Sequence, residues 1–234
     1  MVKKIMIDAG HYGKYNRSPC NNNYYESQVM WKLQDFLRFH LERYGFIVGQ
    51  TRDDQSKDKE VVDRGKCAKG YDLLISLHSN AVGNTPNDNV DYVVAIVPLN
   101  GSCDELGQNL ADVVTDVMQT KQIGRIYKRE STRGDYYGVI RGGVSVGVPS
   151  IIIEHSFHTC PRSVAWLLDD LNLERLAKAE ADAIAKYFGV SAPEKKTIHR
   201  VQLGSFTVKS NADALLKKVK AAGFTDAFIT NTEV

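Results

Sequence analysis

No run of apolar residues in this chain is long enough to cross a membrane, which sets aside a helical membrane protein. Cysteine is sparse: Cys20, Cys67, Cys103 and Cys160 are scattered and form no CxxC pair. They read as free thiols of a reducing compartment rather than as a disulfide framework. Charge of one sign is lacking too. Lys and Arg number 30 against 28 Asp and Glu, a net +2 with no basic block, which argues against a nucleic-acid partner. The N-terminus enters a strand directly, without the apolar region and cleavage site of an export signal. What remains is a chain of 234 residues, 43% hydrophobic and 25% charged, able to bury a real core in one substantial domain plus a small one.

Three short apolar runs organise that chain. Ile5-Met6-Ile7 is followed by Asp8-Ala9-Gly10-His11-Tyr12-Gly13, the pattern of a buried strand closing on a tight turn. Leu73 to Leu77 closes on His78-Ser79-Asn80, and Ile151-Ile152-Ile153 closes on Glu154-His155-Ser156-Phe157. In open α/β sheets, sites form outside the carboxyl ends of the strands. One His there is an ordinary turn residue. Three strands presenting His or Glu at the same end are hard to attribute to packing, because an ionised Glu is almost never buried without a partner. Two imidazoles and a carboxylate match a catalytic zinc with an open coordination position, so these residues form a candidate metal site.

Around these strands the chain alternates. Asn16 to Asn23 is a polar loop, and Val29, Leu33, Phe36, Leu37, Leu41 and Tyr44 mark the apolar face of a helix from Tyr25 to Tyr44, stopped by Gly45. Glu26 falls in its first turn, either an acid favoured by the helix dipole or a ligand brought back beside His11. Phe46 to Thr51 reads as a strand and Lys59 to Lys69 as a short helix, with a further strand from Asp91 to Pro98. Ser102 to Glu105 has the form of a capping box opening a helix whose apolar face is Leu106, Leu110, Val113, Val114 and Val117. Lys121 to Gly138 reads as a basic surface connection that borders a substrate groove or is simply solvated. Pro161 suits the first position of a short helix, and a longer one runs from about Leu171 to Phe188 before Gly189. The pattern predicts an α/β fold: a mostly parallel twisted sheet with helices on both faces, over residues 1–190. A linker at 191–197 leads to a small βαβ unit at 198–234, with strands at His199 to Phe206 and Phe224 to Thr230 about a helix at Asn211 to Ala222. That unit is too small to bury a core of its own, so either the parent chain continues or two copies pair as a homodimer.

Residues 3–189 resemble the zinc-dependent N-acetylmuramoyl-L-alanine amidases of the Amidase_3 type. The resemblance is carried by Asp8 to Gly13, Glu26, Thr51-Arg52, Arg64, Ser76 to Asn80, and Pro149 to Phe157. It implies zinc held by His11, Glu26 and His78, with Glu154 as general acid and base. It implies as substrate the amide bond joining N-acetylmuramic acid to the L-Ala of the peptidoglycan stem peptide. The family has glycine where Tyr12 stands, and a glycine-phenylalanine pair where this chain has His155-Ser156-Phe157. His155 and His158 read as support for the site or as surface residues rather than as ligands. Tyr12, Asn80 and Arg141 are candidates for substrate contact. Tyr12 either lines the groove or packs, and Arg141 either orients a substrate anion or pairs with an internal acid. The tail resembles the first half of a SPOR repeat, a peptidoglycan-binding module. With no export signal, the implied setting is a chain made in the cytoplasm that acts on a Gram-positive wall, as a phage endolysin or a sporulation autolysin. A metallopeptidase cutting within the stem peptide, or a wall-binding protein without catalysis, is the alternative.

Overall fold

A computed structural model describes residues 2–191, 201–225 and 227–229. The chain falls into two compact units, Met1–Pro193 and Glu194–Val234.

In the first unit, strands β1 (Lys4–Ala9), β2 (Ile47–Gln50), β3 (Leu73–Asn80), β4 (Val94–Ile96), β5 (Arg125–Tyr127) and β8 (Ser150–Phe157) form one sheet in the order β2-β1-β3-β8-β4-β5. A separate two-stranded hairpin pairs β6 (Glu130–Ser131) with β7 (Gly134–Asp135). The first four strands of the sheet order run parallel, β4 runs antiparallel to β8, and β5 is parallel to β4. The helices are α1 (Glu26–Arg43), α2 (Val61–Lys66), α3 (Asp104–Met118), α4 (Gly138–Ser145), α5 (Pro161–Leu167) and α6 (Asp170–Tyr187).

Side chains alternate across the sheet as the strand pleat requires. Ile5, Ile7, Leu73, Ile75, Ile151 and Ile153 face a core shared with Leu33 and Leu37 of α1, Leu110 and Val114 of α3, and Leu176 and Ile184 of α6. Met6, Leu74 and Ile152 face a second cluster with Val139 and Ile140 of α4. There α2 packs on α4 so closely that Gly65 and Gly142 cannot carry a Cβ. Helices therefore cover both faces, as the alternation predicts. Strand ends β1, β3 and β8 meet at one edge, with His78 in register beside Glu154.

Several boundaries differ from the sequence reading. Helix α3 begins at Asp104 with Cys103 as its N-cap and no side-chain cap, so the Ser102–Glu105 capping box does not form. The turn that carries the Asp104 N–H to the Gly101 carbonyl, at 3.3 Å, shifts the helix start past Ser102. The segment from Lys121 to Gly138 is not plain surface connection. Its first strand, β5, completes the sheet edge through pairing with β4. Pro161 does open α5, and α6 is capped by Asp169, whose side chain accepts from the N–H groups of Leu171 and Asn172.

In the second unit only α7 (Lys209–Ala221) forms among the described residues, with no buried side chain. The expected flanking strands do not form at Val201 to Phe206, at Phe224 and Thr225, or at Ala227 to Ile229. The linker from Ala192 to Thr197, and His199, Arg200, Asp226 and Thr230 of the expected strands, lie outside the described residues. Strand pairing needs a ladder partner, and these segments have none among the described residues. Leu203, Phe224 and Phe228 are accordingly 60%, 63% and 73% exposed.

Candidate metal centre

The turn after β1 is built by charge. Asp8, fully buried, accepts hydrogen bonds from Thr51 Oγ1 at 2.5 Å and Ser76 Oγ at 2.7 Å, and Arg64 Nη1 stands 3.6 Å from it. Both Arg52 and Arg64 donate to the Ala9 carbonyl, and Arg64 Nη2 reaches the His11 carbonyl at 3.3 Å. These guanidinium groups fix the backbone on either side of His11, which sits in the left-handed region at φ 58°. A non-glycine residue adopts that conformation only where its surroundings impose it. Thr51, Arg52 and Arg64 thus hold the His11 turn in place.

Helix α1 opens beside that turn, with the Glu26 N–H donating to the Asn16 carbonyl at 3.0 Å. The Glu26 carboxylate is buried. Its Oε1 lies 2.9 Å from His78 Nδ1 and accepts from the Ser79 N–H at 3.0 Å. Its Oε2 lies 3.4 Å from His11 Nε2. The Asn16 amide donates to Glu26 Oε2 at 2.7 Å and lies 3.0 Å from His11 Nε2. Ligand atoms of His11, Glu26 and His78 all lie within 4.8 Å of one another. The approach depends on Gly10, since a Cβ there would stand 2.5 Å from the His78 ring. Two imidazoles and a carboxylate converging from a strand turn, a helix start and a second strand fit a divalent cation such as zinc.

The charges shift accordingly. Burial works against the Glu26 carboxylate, but hydrogen bonds from His11 and His78 hold its pKa far below the ordinary range. Burial would likewise depress His78, yet the hydrogen bond and charge of Glu26 outweigh it and lift the imidazole to about 9. Glu154 stands apart. It lies within β8 rather than at its end, because the strand runs on to Phe157, which pairs with Asn80 of β3. Burial, reinforced by the nearby Glu26 charge and offset in part by His78, lifts its carboxyl to about 7. Its Oε2 has no hydrogen-bond partner among the described residues. His11, Glu26, His78 and Glu154 line the same cleft, of about 500 Å³.

Beyond Glu154 the β3–β8 register breaks between His78 and Asn80, and Ser156 turns to φ 58°. Here the Ser156 hydroxyl holds the turn by donating to buried Asp91 at 2.7 Å. Neither flanking histidine is at the surface. His155 is fully buried with Nδ1 2.9 Å from the His78 carbonyl, and His158 Nδ1 is 2.8 Å from the Ser79 carbonyl. Burial depresses the His158 imidazole.

The substrate candidates are dispersed. Asn80 lines the cleft. Tyr12 is half-exposed and stacks on Tyr15, which itself stacks on the His11 ring at 5.1 Å between centroids. Arg141 lies on α4, outside the cleft, and donates to the carbonyls of Asp135 and Tyr136 at 2.6 and 3.1 Å. Among the described residues it ties down the β6–β7 hairpin rather than pairing with an acid. Sequence reasoning did not find Asn16, Arg17 or Ser18 in the cleft wall, since a polar Asn/Ser/Pro loop gives no sign of what it borders.

Residues 5–186 match the family described as N-acetylmuramoyl-L-alanine amidase. The chain belongs to that family. Residues 172–232 match the SPOR domain, a match that begins on α6 and overlaps the amidase match. The amidase is 22% identical over 231 residues to N-acetylmuramoyl-L-alanine amidase CwlM of Bacillus licheniformis, covering 97% of this chain and 84% of that one. It is 23% identical over 227 residues to the sporulation-specific N-acetylmuramoyl-L-alanine amidase of Bacillus subtilis, covering 94% and 82%. Among solved structures, an N-acetylmuramoyl-L-alanine amidase from Clostridium difficile 630 superposes with a TM-score of 0.69 at 21% identity, over 80% of this chain and 97% of that one. That likeness establishes the fold of the amidase unit.

Proposed function

We propose that this amidase hydrolyses the bond between N-acetylmuramic acid and the L-Ala of the stem peptide, with zinc held by His11, Glu26 and His78 and Glu154 as general acid and base. The observation that carries the reading is the convergence of those three donors beside Glu154, whose Oε2 is buried and unpartnered among the described residues, in one cleft. Zinc, when bound there, supplies Lewis acidity, polarising a carbonyl oxygen and lowering the pKa of a bound water to about 7. Glu154 does the proton work. With its carboxyl poised at about 7, both forms are populated near neutrality. It takes the proton of the attacking water and returns it to the departing amine nitrogen, which cannot leave as an anion. Glu26, held ionised, faces both imidazoles, and the Asn16 amide steadies its carboxylate by donating to Oε2.

The SPOR-matching segment supports attachment to peptidoglycan, and its exposed apolar side chains support pairing of two copies through it. The sporulation-specific Bacillus relative favours an autolysin setting over a phage endolysin. Mass spectrometry of digested peptidoglycan tests the reading. Intact stem peptides with a free L-Ala amine, lost on chelation, are expected. Cuts within the stem peptide would replace the amidase reading with a peptidase.

A further inference from the structure

A second ionisable pair lies buried behind the metal centre, and the reaction above makes no use of it. Glu180 on α6 is 1% exposed and His155 on β8 is 0% exposed. Glu180 Oε1 lies 3.0 Å from His155 Nε2, and His155 Nδ1 lies 2.9 Å from the His78 carbonyl oxygen. Neither residue lines the cleft. Glu180 is surrounded on its helix by buried Leu176, Ala177, Ala181 and Ile184, a setting in which an apolar residue would serve packing better.

Hydrogen-bond chemistry orders this chain of contacts. A carbonyl oxygen only accepts, so His155 Nδ1 carries a hydrogen. The contact at Nε2 then requires one proton shared with Glu180, whichever atom holds it. The imidazole is clamped at both nitrogens, and its ring orientation is set from α6. The clamp acts where the strand pairing is irregular: the β3–β8 register breaks between His78 and Asn80, and Ser156 is turned into the left-handed region.

We propose that Glu180 and His155 are positioning residues of the metal centre. Glu180 fixes the His155 ring, and His155 fixes the His78 carbonyl. Together they hold the His78 side chain and the Ser79 N–H, which donates to Glu26 Oε1 at 3.0 Å. Two of the three ligands are thereby tied to helix α6. The inference rests on reading His11, Glu26 and His78 as the zinc site. Such outer partners are typically worth about 10- to 100-fold in metal affinity.

The test uses the full chain as wild type, Glu180→Leu and Glu180→Gln. Zinc affinity is measured by competition with a chromophoric chelator, and amide hydrogen exchange at Ser79 is measured on the metal-free protein. Glu180→Leu should weaken zinc binding about 10- to 100-fold and speed Ser79 exchange. Glu180→Gln, still able to bond Nε2, should recover most of both. A residue serving only packing would lower the thermal midpoint and leave zinc affinity and Ser79 exchange unmoved; that result overturns the proposal. If Glu180→Leu does not fold, Glu180→Asp, whose shorter side chain withdraws the carboxylate from Nε2, carries the same comparison. Should the wild type bind no zinc while Ser79 still loosens in the variants, the bracing stands and the zinc reading falls.

Discussion

Gly10→Ala puts the geometry of the centre under the most direct steric test. The backbone at Gly10 is outside the left-handed region, so the cost of the substitution is contact and not conformation. The added Cβ would stand 2.5, 2.6 and 2.8 Å from Cε1, Nδ1 and Nε2 of His78, where ordinary contact begins near 3.4 Å. The ring must retreat by about 0.9 Å, and it cannot do so while Nδ1 keeps its 2.9 Å contact with Glu26 Oε1. A misplacement of roughly 1 Å at a reacting centre costs on the order of 100-fold. That is about 2.7 kcal/mol at 1.36 kcal/mol per factor of ten. The assay is zinc affinity by chelator competition together with kcat/KM on purified peptidoglycan, with far-UV circular dichroism as the folding control. Gly13→Ala makes the contrast. Its Cβ meets nothing within 4 Å, but its φ of +55° penalises a side chain. That variant should lose about 1 kcal/mol of stability and keep its zinc. Wild-type zinc affinity and turnover in Gly10→Ala would refute the placement of His78 against the β1 turn.

Other outcomes follow from the same contacts. Glu154→Gln should keep zinc and lose about 100- to 10,000-fold in kcat, the usual worth of a general acid and base; zinc retention is read by chelator competition. Zinc must displace the proton that Glu26 stabilises on His78, so affinity should rise about tenfold per pH unit from neutrality and level off above about 9. A titration that is flat across that range would contradict the His78–Glu26 pairing. Ser156→Ala keeps the strained φ and removes the donor to buried Asp91, so it should cost about 1–3 kcal/mol in denaturant unfolding. Ser156→Gly relieves the strain and should be the milder of the two.

The parts of this site that can be read from sequence are those written along single elements. His11, His78 and Glu154 each follow an apolar run, and parallel strands bring such endings to one edge. Glu26 required one further step, the return of a helix start to the strand that precedes it. What escaped reading depends on pairing between distant elements. The antiparallel pairing of β4 with β8, which reaches as far as Glu154, leaves no mark in local periodicity. Strand β5 has three residues, too few for alternation to show inside a polar segment. Glu180 occupies an ordinary place on an amphipathic helix, and only the fold sets it against His155. The Ser102 capping box and the tail strands fail for opposite reasons. A turn ending at Asp104 displaced the helix start, while Val201 to Phe206 has the residues of a strand but no partner to pair with among the described residues.

The central claim is that one zinc ion sits among His11, Glu26 and His78. X-ray absorption spectroscopy at the zinc edge of the purified full chain reports the donor atoms directly. One zinc per chain with two imidazole donors, oxygen ligands and no sulfur is expected. Zinc bound through any of the four cysteine thiolates, or a chain that retains no stoichiometric zinc, would contradict it.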